Sequence, residues 1–396
     1  MKPTITLIFP SSSFLLNQRV FPPLGIMYLS AFLKQRGFTV QCLDMALEHT
    51  PEMVEAKFVG ISITTPQRDE AYRLAAYLKK LDKILIAGGP HATHMPDECK
   101  EHGFDYVIRG YGEWKLSLLL GGDFTEPDHI DKYPFPDRDA LPIRNYKYQI
   151  NGRPATVIMT SRGCPFHCSY CARIDRKFYL QSAERTIREV MHIATCYGFK
   201  AFMIFDDIFV ANKKRLKKLA DVFELCDFLF RCFARSNLLD DTVCRLLKQM
   251  GVVEVGIGIE SGSDQILKRN MKGTSVSSNT RAIKNLHKYG IRAKCFLIVG
   301  LPGETHYTVK ETMDWIRQAE PDDIDVNIFQ PLPGSRIFAN PNKWGIKFNY
   351  NSMPMWYKGT PEKYETSVET EGLKSKEILE YRWLIEKEFK KSNLLK

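Results

Sequence analysis

The stretch Cys164-Pro-Phe-His-Cys168-Ser-Tyr-Cys171 organises this chain. Three cysteine thiolates so close together can hold three irons of a cubane 4Fe-4S cluster, because cysteine sulfur is the usual ligand of such irons. No fourth cysteine lies nearby in the sequence, so one iron would keep an open position, as metals in catalytic sites do. A zinc knuckle and a buried redox cysteine cluster are the alternatives, but zinc in structural sites normally takes four protein ligands. Tyr170, directly before the last cysteine, suits a ring beside the cluster.

The CxxxCxxC spacing with an aromatic residue before its last cysteine resembles the signature of radical S-adenosylmethionine (SAM) enzymes. The resemblance implies that Cys164, Cys168 and Cys171 are at once the metal ligands and the catalytic residues. In that family the open iron chelates the amino and carboxylate groups of SAM. An electron from the cluster then cleaves SAM to a 5′-deoxyadenosyl radical. Tyr170 is expected on the cofactor side of this loop.

Length and composition indicate the general class of the protein. A length of 396 residues predicts two domains, and 44% hydrophobic with 26% charged residues is typical of a soluble globular protein. No apolar run is long enough to span a bilayer. The chain starts directly with a strand pattern, so we expect no signal peptide. The remaining cysteines are scattered singly, which favours a reducing, cytoplasmic location.

The formal charge of +10 comes partly from a basic run at residues 213–218. Such a run is usually a solvated helix face. It could also dock an acidic electron donor such as a flavodoxin or ferredoxin. Nucleic acid is the least favoured partner, because no recognised nucleic-acid module accompanies the run.

Residues 1–122 alternate predicted strands with helices, which indicates a Rossmann-like, doubly wound parallel sheet. Ligands of such sheets gather at the carboxyl ends of the strands. This half resembles the cobalamin-binding domain that precedes the radical SAM domain in one large subgroup. The resemblance implies cobalamin, with the groove for its nucleotide tail lined by Ser62, Thr64, Gly88 and Gly89. His91 is expected to make a polar contact in the same loop.

One departure from other cobalamin proteins bears on that cofactor. The Asp-x-His-x-x-Gly motif, which supplies a histidine to cobalt, is absent from this sequence. Many cobalamin-dependent radical SAM enzymes also lack it, so its absence does not exclude cobalamin. The alternative that this domain is shortened and no longer binds cobalamin therefore stays open.

A proline- and glycine-punctuated linker is predicted at residues 123–153. Six strand–helix units over residues 154–336 then predict a partial (β/α)6 barrel of the radical SAM type, whose chemistry sits on loops at the carboxyl ends of the strands. A short tail at residues 337–396 should close with an amphipathic helix. Its aromatic residues Trp344, Trp356 and Tyr357 are expected to pack, or to cover the barrel mouth.

Distinctive residues follow the predicted barrel strands one after another. The simple alternative is that each is a helix cap or a turn residue. The resemblance implies instead that Asp206 and Asp207 receive the amino group of SAM, and that Arg235 and Glu260 lie near its carboxylate and ribose. The remaining positions that the resemblance assigns to SAM are Ser261, Ile298, Gly300 and Glu304.

These observations predict a radical SAM enzyme that carries out cobalamin-dependent methyl transfer to an unactivated carbon of a small-molecule or peptide substrate. One alternative is a radical SAM cyclase, rearrangement enzyme or oxidoreductase without methyl transfer. Another is a cobalamin or iron–sulfur sensor that is not an enzyme. A methylthiotransferase is disfavoured, because members of that class carry three cysteines in their first domain and this half holds only Cys42 and Cys99.

Overall fold

The structure, a computed structural model, describes residues 2–12, 15, 17–122, 126–175, 177–351 and 365–394, with side chains up to residue 390. Trp356, Tyr357 and the start of the predicted linker therefore lie outside the described residues. The chain divides into two compact units. The first consists of Met1–Gln149, Pro154–Val157 and Arg173–Gln181, and the second of Ile150–Arg153, Ile158–Ala172 and Ser182–Lys396.

The first unit is built on a parallel sheet whose strands are nearly continuous apolar runs, as expected for strands buried on both faces. Its strands are β1 (Ile5–Phe9), β2 (Val40–Asp44), β3 (Phe58–Ser62), β4 (Ile84–Gly88) and β5 (Tyr106–Val107). Its helices are α1 (Leu24–Lys34), α2 (Arg68–Lys80), α3 (Gly89–His94), α4 (Pro96–Glu101) and α5 (Glu113–Leu119). The order β2-β1-β3-β4-β5 reverses between β1 and β3, where sheets of this type bind ligands.

The described part of the predicted linker packs on the first unit. Asp137 accepts hydrogen bonds from Ser30 Oγ at 2.6 Å and from Lys34 Nζ at 2.7 Å, both on α1. The hydroxyl of Tyr146 donates to Asp44 Oδ2 at 2.5 Å. Residues 126–149 are therefore fixed against the first sheet, although their composition is that of a linker.

The following strands, from residue 149 onward, are β6 (Gln149–Ile150), β7 (Arg153–Ile158), β8 (Ser161–Arg162), β9 (Tyr179–Leu180), β10 (Ala201–Ile204), β11 (Leu229–Ala234), β12 (Val252–Glu260), β13 (Arg292–Val299) and β14 (Asp323–Ile328). The helices are α6 (Ala183–Tyr197), α7 (Lys213–Phe223), α8 (Asp241–Met250), α9 (Asp264–Arg269), α10 (Val276–Lys288), α11 (His306–Ala319), α12 (Arg336–Ala339) and α13 (Ser375–Leu394). A seven-stranded sheet has the order β14-β13-β12-β11-β10-β7-β6.

Side chains alternate along the strands of this second sheet. On β13, Ala293, Cys295, Leu297 and Val299 are buried, whereas Lys294, Phe296 and Ile298 between them are partly exposed. The buried set packs toward the helices, which leaves the other face accessible. No helix in the described part of the chain is long and apolar enough to cross a membrane.

Candidate functional site

The cysteine loop, residues 163–172, is fixed at its start by a buried carboxylate. Asp206 Oδ1 accepts from the backbone nitrogens of Thr160 at 2.5 Å and Ser161 at 3.0 Å. Its Oδ2 accepts from Thr160 Oγ1 at 2.5 Å. Burial raises the pKa of Asp206, an effect that Arg215 opposes. Both oxygens of Asp206 are thus engaged in holding the chain segment that leads into the loop.

A second attachment lies in the middle of the loop. The backbone nitrogen and the hydroxyl of Ser169 both donate to the carbonyl of Asn270, each at 3.1 Å. The Asn270 side chain in turn donates to the carbonyls of Ile266 and Pro302, both at 3.0 Å. Asn270 therefore connects the cysteine loop to the turn after β13. Sequence reasoning missed it, since an asparagine after a short helix carries no signal of its own.

Arg235 lies directly against the loop. Its Nη1 is 3.4 Å from Cys168 Sγ, and its Nη2 donates to the carbonyl of Lys272. The guanidinium carbon is 3.8 Å from the centre of the Phe166 ring, in cation–π contact. Only 5% of Arg235 is exposed. The structure therefore places a buried positive charge beside one of the three predicted cluster ligands.

A buried ion pair follows at the end of β12. Glu260 Oε1 lies 2.7 Å from Lys272 Nζ, and their side chains are 11% and 6% exposed. Glu260 has a left-handed backbone, with a φ of 68°. Gly258 leaves room for the pair, because a Cβ there would lie 2.6 Å from Glu260 Oε1 and 2.9 Å from Lys272 Nζ. Lys272 is a second residue that the sequence did not reveal.

Tyr170 brings the cysteine loop and the β12 end together. Burial raises the pKa of its phenol well above the ordinary value, and Glu260, Cys168 and Cys171 act in the same direction. The predicted residues Cys168, Tyr170, Arg235 and Glu260 are therefore neighbours. Cys164 is partly exposed and Cys171 exposed on the same loop.

Other predicted SAM contacts support their own turns. Ser261 Oγ accepts from the backbone nitrogen of Ser263 at 3.2 Å and also lies 3.2 Å from Thr312 Oγ1 on α11. Glu304 Oε2 accepts from the backbone nitrogen of Gly300 at 2.5 Å, and burial raises the Glu304 pKa to about 8. These contacts match the cap-and-turn alternative for Ser261 and Glu304. Asp207 is exposed beside the enclosed Asp206, and Ile298 is partly exposed on β13.

In the first unit, four predicted cobalamin contacts lie at or directly after the ends of β3 and β4. Ser62, Thr64, Gly88 and Gly89 are partly exposed, and the Thr64 hydroxyl donates to Gln67 Oε1 at 2.7 Å. A Cβ at Gly88 would meet nothing within 4 Å, which leaves open space at this backbone. Gly89 has a φ of +92°, and a Cβ there would lie 2.8 Å from the Ile63 carbonyl oxygen.

His91 is enclosed beneath this loop. Its Nε2 lies 2.9 Å from the Tyr72 hydroxyl and its Nδ1 lies 3.2 Å from Thr65 Oγ1. The residue is fully buried. Its ring therefore supports the loop from inside the unit and does not face a groove.

Among the described side chains, no three His, Cys, Asp or Glu residues are arranged as a metal site. The donor set nevertheless suits an iron–sulfur cluster, since three thiols share one tethered loop and soft thiolates are the ligands that such clusters take. The open backbone at Gly88 likewise suits a large ligand that approaches the main chain.

Comparisons with known proteins agree with this picture. Residues 158–316 match the family model described as the radical SAM superfamily, and residues 18–120 match the model of the B12 binding domain. An uncharacterized methyltransferase of Pyrococcus horikoshii is 30% identical over 361 residues, which cover 80% of this chain and 78% of that protein. The anaerobic magnesium-protoporphyrin IX monomethyl ester cyclase of Rubrivivax gelatinosus is 24% identical, with 80% of this chain and 66% of the cyclase covered.

Among solved structures, the radical SAM methyltransferase TsrM from Kitasatospora setae, with cobalamin and a [4Fe-4S] cluster bound, superposes with a TM-score of 0.75. The match covers 97% of this chain and 91% of TsrM at 16% identity, so it shows a shared fold. The matches confirm the resemblance and the α/β fold class predicted from the sequence. The family models also agree with SAM and cobalamin as the predicted cofactor classes.

Proposed function

The chain belongs to the radical SAM superfamily, in the group that also carries a B12-binding domain, and we propose that it is a cobalamin-dependent methyltransferase acting on an unactivated carbon. For the radical chemistry, the observation that carries the proposal is the contact of Arg235 with Cys168 and with the carbonyl of Lys272, and methyl transfer is supported by the B12-binding match and the methyltransferase relative. The Arg235 contact joins the cysteine loop to the strand ends at which barrels of this type carry out their chemistry.

In this proposal Cys164, Cys168 and Cys171 hold a 4Fe-4S cluster. When bound, the cluster supplies the electron that cleaves SAM, and cobalamin carries the methyl group. The protein contributes the positions of its own groups. Asp206 fixes the segment that leads into the loop, the Asn270 carbonyl holds its middle, and Arg235 neutralises charge at Cys168.

The residues proposed to bind SAM differ in their exposure and in their contacts with the rest of the protein. Asp207 is exposed and is our candidate for the amino group. Arg235 and Glu260 lie beside the cysteine loop, as a contact to the carboxylate and ribose requires. Asp206 holds the segment before the cysteine loop, Ser261 contacts α11 and Glu304 accepts from Gly300 in its own turn. We therefore assign these three residues the support of the SAM-binding edge.

For cobalamin, Ser62 and Gly88 are the residues best placed to line a groove, because one offers a partly exposed hydroxyl and the other an open backbone. Thr64 and Gly89 shape the same loops. His91 supports the loop from the interior of the unit through its contacts with Tyr72 and Thr65.

Cyclisation without methyl transfer is the second candidate function, and the likeness to the cyclase of Rubrivivax gelatinosus is the observation that favours it. Both reactions would use the same cysteine loop. They differ in their products, because methyl transfer from SAM releases S-adenosylhomocysteine and cyclisation does not.

A reductase such as a flavodoxin or ferredoxin, and a cytoplasmic location, complete the proposal. None of the ten cysteines, all within the described residues, forms a disulfide, in keeping with a reducing compartment. The basic run on α7 gives the reductase little support. Lys213 pairs with Asp240, Lys217 with Asp221 and Lys218 with Glu184, which is the behaviour of a solvated helix face.

The test is anaerobic reconstitution with iron, sulfide and hydroxocobalamin, followed by incubation with SAM and dithionite. We expect 5′-deoxyadenosine and S-adenosylhomocysteine from the wild type, and no 5′-deoxyadenosine above background from Cys168→Ser. Deoxyadenosine without S-adenosylhomocysteine would favour the second candidate. A Cys168→Ser protein that cleaves SAM at the wild-type rate would end the proposal.

A further inference from the structure

Three phenylalanines form a continuous surface on the accessible face of the second sheet. Phe205 follows β10, Phe233 lies on β11 and Phe296 lies on β13. The ring centres of Phe205 and Phe233 are 5.9 Å apart, and those of Phe233 and Phe296 are 5.7 Å apart. We name these three residues the phenylalanine shelf.

A glycine between the strands makes the shelf continuous. On β12, a Cβ at Gly256 would lie 2.7 Å from ring carbons of both Phe233 and Phe296. The two rings therefore cover the backbone of β12, where any other residue would hold them apart. The result is an apolar surface that extends from β10 across to β13.

Along their strands, the shelf residues lie just before residues that surround the cysteine loop. Side chains two positions apart on a strand share a face and are about 6.6 Å apart along it. Phe233 is thus one such step from Arg235, which contacts Cys168. Gly256 is the same step from Gly258, which lies against the Glu260–Lys272 pair.

The charges on the other side of the shelf neutralise one another. Glu254 pairs with Arg231 and, at 3.8 Å, with Arg292. Lys294 lies 2.7 Å from Asp323 and 4.0 Å from Asp325. Three positive and three negative side chains border the shelf there, so this border offers no net charge to a ligand.

Packing alone leaves one feature unexplained. Phe205 is 46% exposed, although its ring packs against Phe233 and would be covered if the shelf were ordinary core. An exposed aromatic surface next to a reactive loop is where a ligand completes the burial.

We propose that the phenylalanine shelf binds the substrate through an uncharged, flat, apolar ring system. This inference rests on the proposed function, since it assumes that the cysteine loop is the reactive centre. Flat rings match the aromatic side chains by offset or edge-to-face contact. The neutral border disfavours a phosphorylated or otherwise charged group at the same place.

The test uses the full-length reconstituted protein and Prodan, an uncharged naphthalene dye whose emission shifts to the blue in an apolar site. Wild type should bind one Prodan per chain. Phe205→Ser should bind it at least fivefold more weakly, and Phe205→Trp should restore the affinity. Leu225→Ser is the matched control, because Leu225 is an apolar residue that is 88% exposed, lies beyond the end of α7 and is not part of the shelf.

Equal binding by wild type and Phe205→Ser would overturn the inference, as would displacement of Prodan by adenosine monophosphate or preferential binding of the anionic dye anilinonaphthalene sulfonate at the same site. Circular dichroism and iron content would show that the variants are folded. The dye experiment needs no SAM cleavage. If Prodan binding depends on Phe205 while the wild type makes no 5′-deoxyadenosine, only the proposed function is contradicted. If the wild type makes 5′-deoxyadenosine but Prodan binding does not depend on Phe205, only the inference about the shelf is contradicted.

Discussion

Arg235 and Cys168 are in direct contact, with the guanidinium Nη1 3.4 Å from the sulfur. The same guanidinium holds the Lys272 carbonyl and covers the Phe166 ring. An arginine can do all three at once because its donors form a planar fork. The contact therefore sets both the charge and the position of one predicted cluster ligand.

Arg235→Lys should reduce cluster assembly. Lysine keeps the positive charge but cannot reach the sulfur and the carbonyl together or cover the Phe166 ring as a flat group. We expect the iron content after anaerobic reconstitution to fall at least twofold, measured with acid-labile sulfide. Arg245→Lys, at an exposed position on α8, should leave both values unchanged. Wild-type iron in Arg235→Lys would contradict this role.

Lys272→Met should destabilise the second unit through its buried partner. Removal of one member leaves Glu260 as a buried charge without its counterion, a loss of about 3–5 kcal/mol in comparable pairs. Urea unfolding of the apoprotein would measure it. The double variant Glu260→Gln, Lys272→Met should recover at least half of the loss. A single variant as stable as wild type would show that the pair contributes nothing.

Asp206 and Asp207 are adjacent but should respond differently to the same change. Asp206→Asn replaces a carboxylate that accepts three hydrogen bonds, so we expect a loss of about 2 kcal/mol in the free energy of unfolding. Asp207→Asn, at an exposed position, should change stability by less than about 0.5 kcal/mol. Its SAM affinity, measured by equilibrium dialysis, should fall. Equal stabilities for the two variants would refute the assignment.

Glu304 should make stability depend on pH. Its pKa is raised from 4.5 to about 8 by burial, so the folded chain keeps a proton that the unfolded chain releases in this window. Stability conferred by the protonated group is therefore lost as pH rises from about 5 to about 8. With about 1.4 kcal/mol per pKa unit, the change is about 3–5 kcal/mol.

The check on Glu304 is the melting temperature of the apoprotein at low and high pH across that window. Glu304→Gln carries no titrating group and should flatten the difference. Glu380→Gln, at an exposed position on α13, should behave as wild type does. An unchanged slope in Glu304→Gln would mean that other groups set the pH dependence.

Gly88→Val should separate cofactor binding from folding in the first unit. The backbone there is extended, with a φ of −142°, so valine is compatible with it. A Cβ would meet nothing within 4 Å, so the fold should tolerate it while the open space is filled. We expect corrinoid content after reconstitution to fall severalfold. Gly25→Ala on α1, also without neighbours at its Cβ, is the matched control. Full corrinoid loading of Gly88→Val would remove this residue from the groove.

The sequence predicted the layout of the fold well, since strand and helix periods are local properties. The cysteine motif, the alternation of strands with helices and the positions of Arg235 and Glu260 at the ends of their strands all followed from it. Asp206 shows where this reasoning ends. A carboxylate after a strand has a predictable position, but whether it meets a ligand or the backbone of Thr160 depends on the neighbouring strand.

Asn270 and Lys272 were not predictable for a related reason. They lie around Met271, a non-glycine residue with a left-handed φ of 54° that turns the chain after α9. No sequence pattern marks this turn. Their contacts with Ser169, Arg235 and Glu260 join segments far apart in the chain, so only the folded structure shows them.

The carbonyl oxygens of Asn270 and Lys272 receive Ser169 and Arg235. Every residue has a backbone carbonyl oxygen, so a substitution at position 270 or 272 cannot remove these two acceptors. Adding or removing a residue between α9 and α10 would displace both. A change in the length of this segment should therefore break the Ser169 and Arg235 contacts, whereas a substitution here acts only through the side-chain contacts of Asn270 and Lys272.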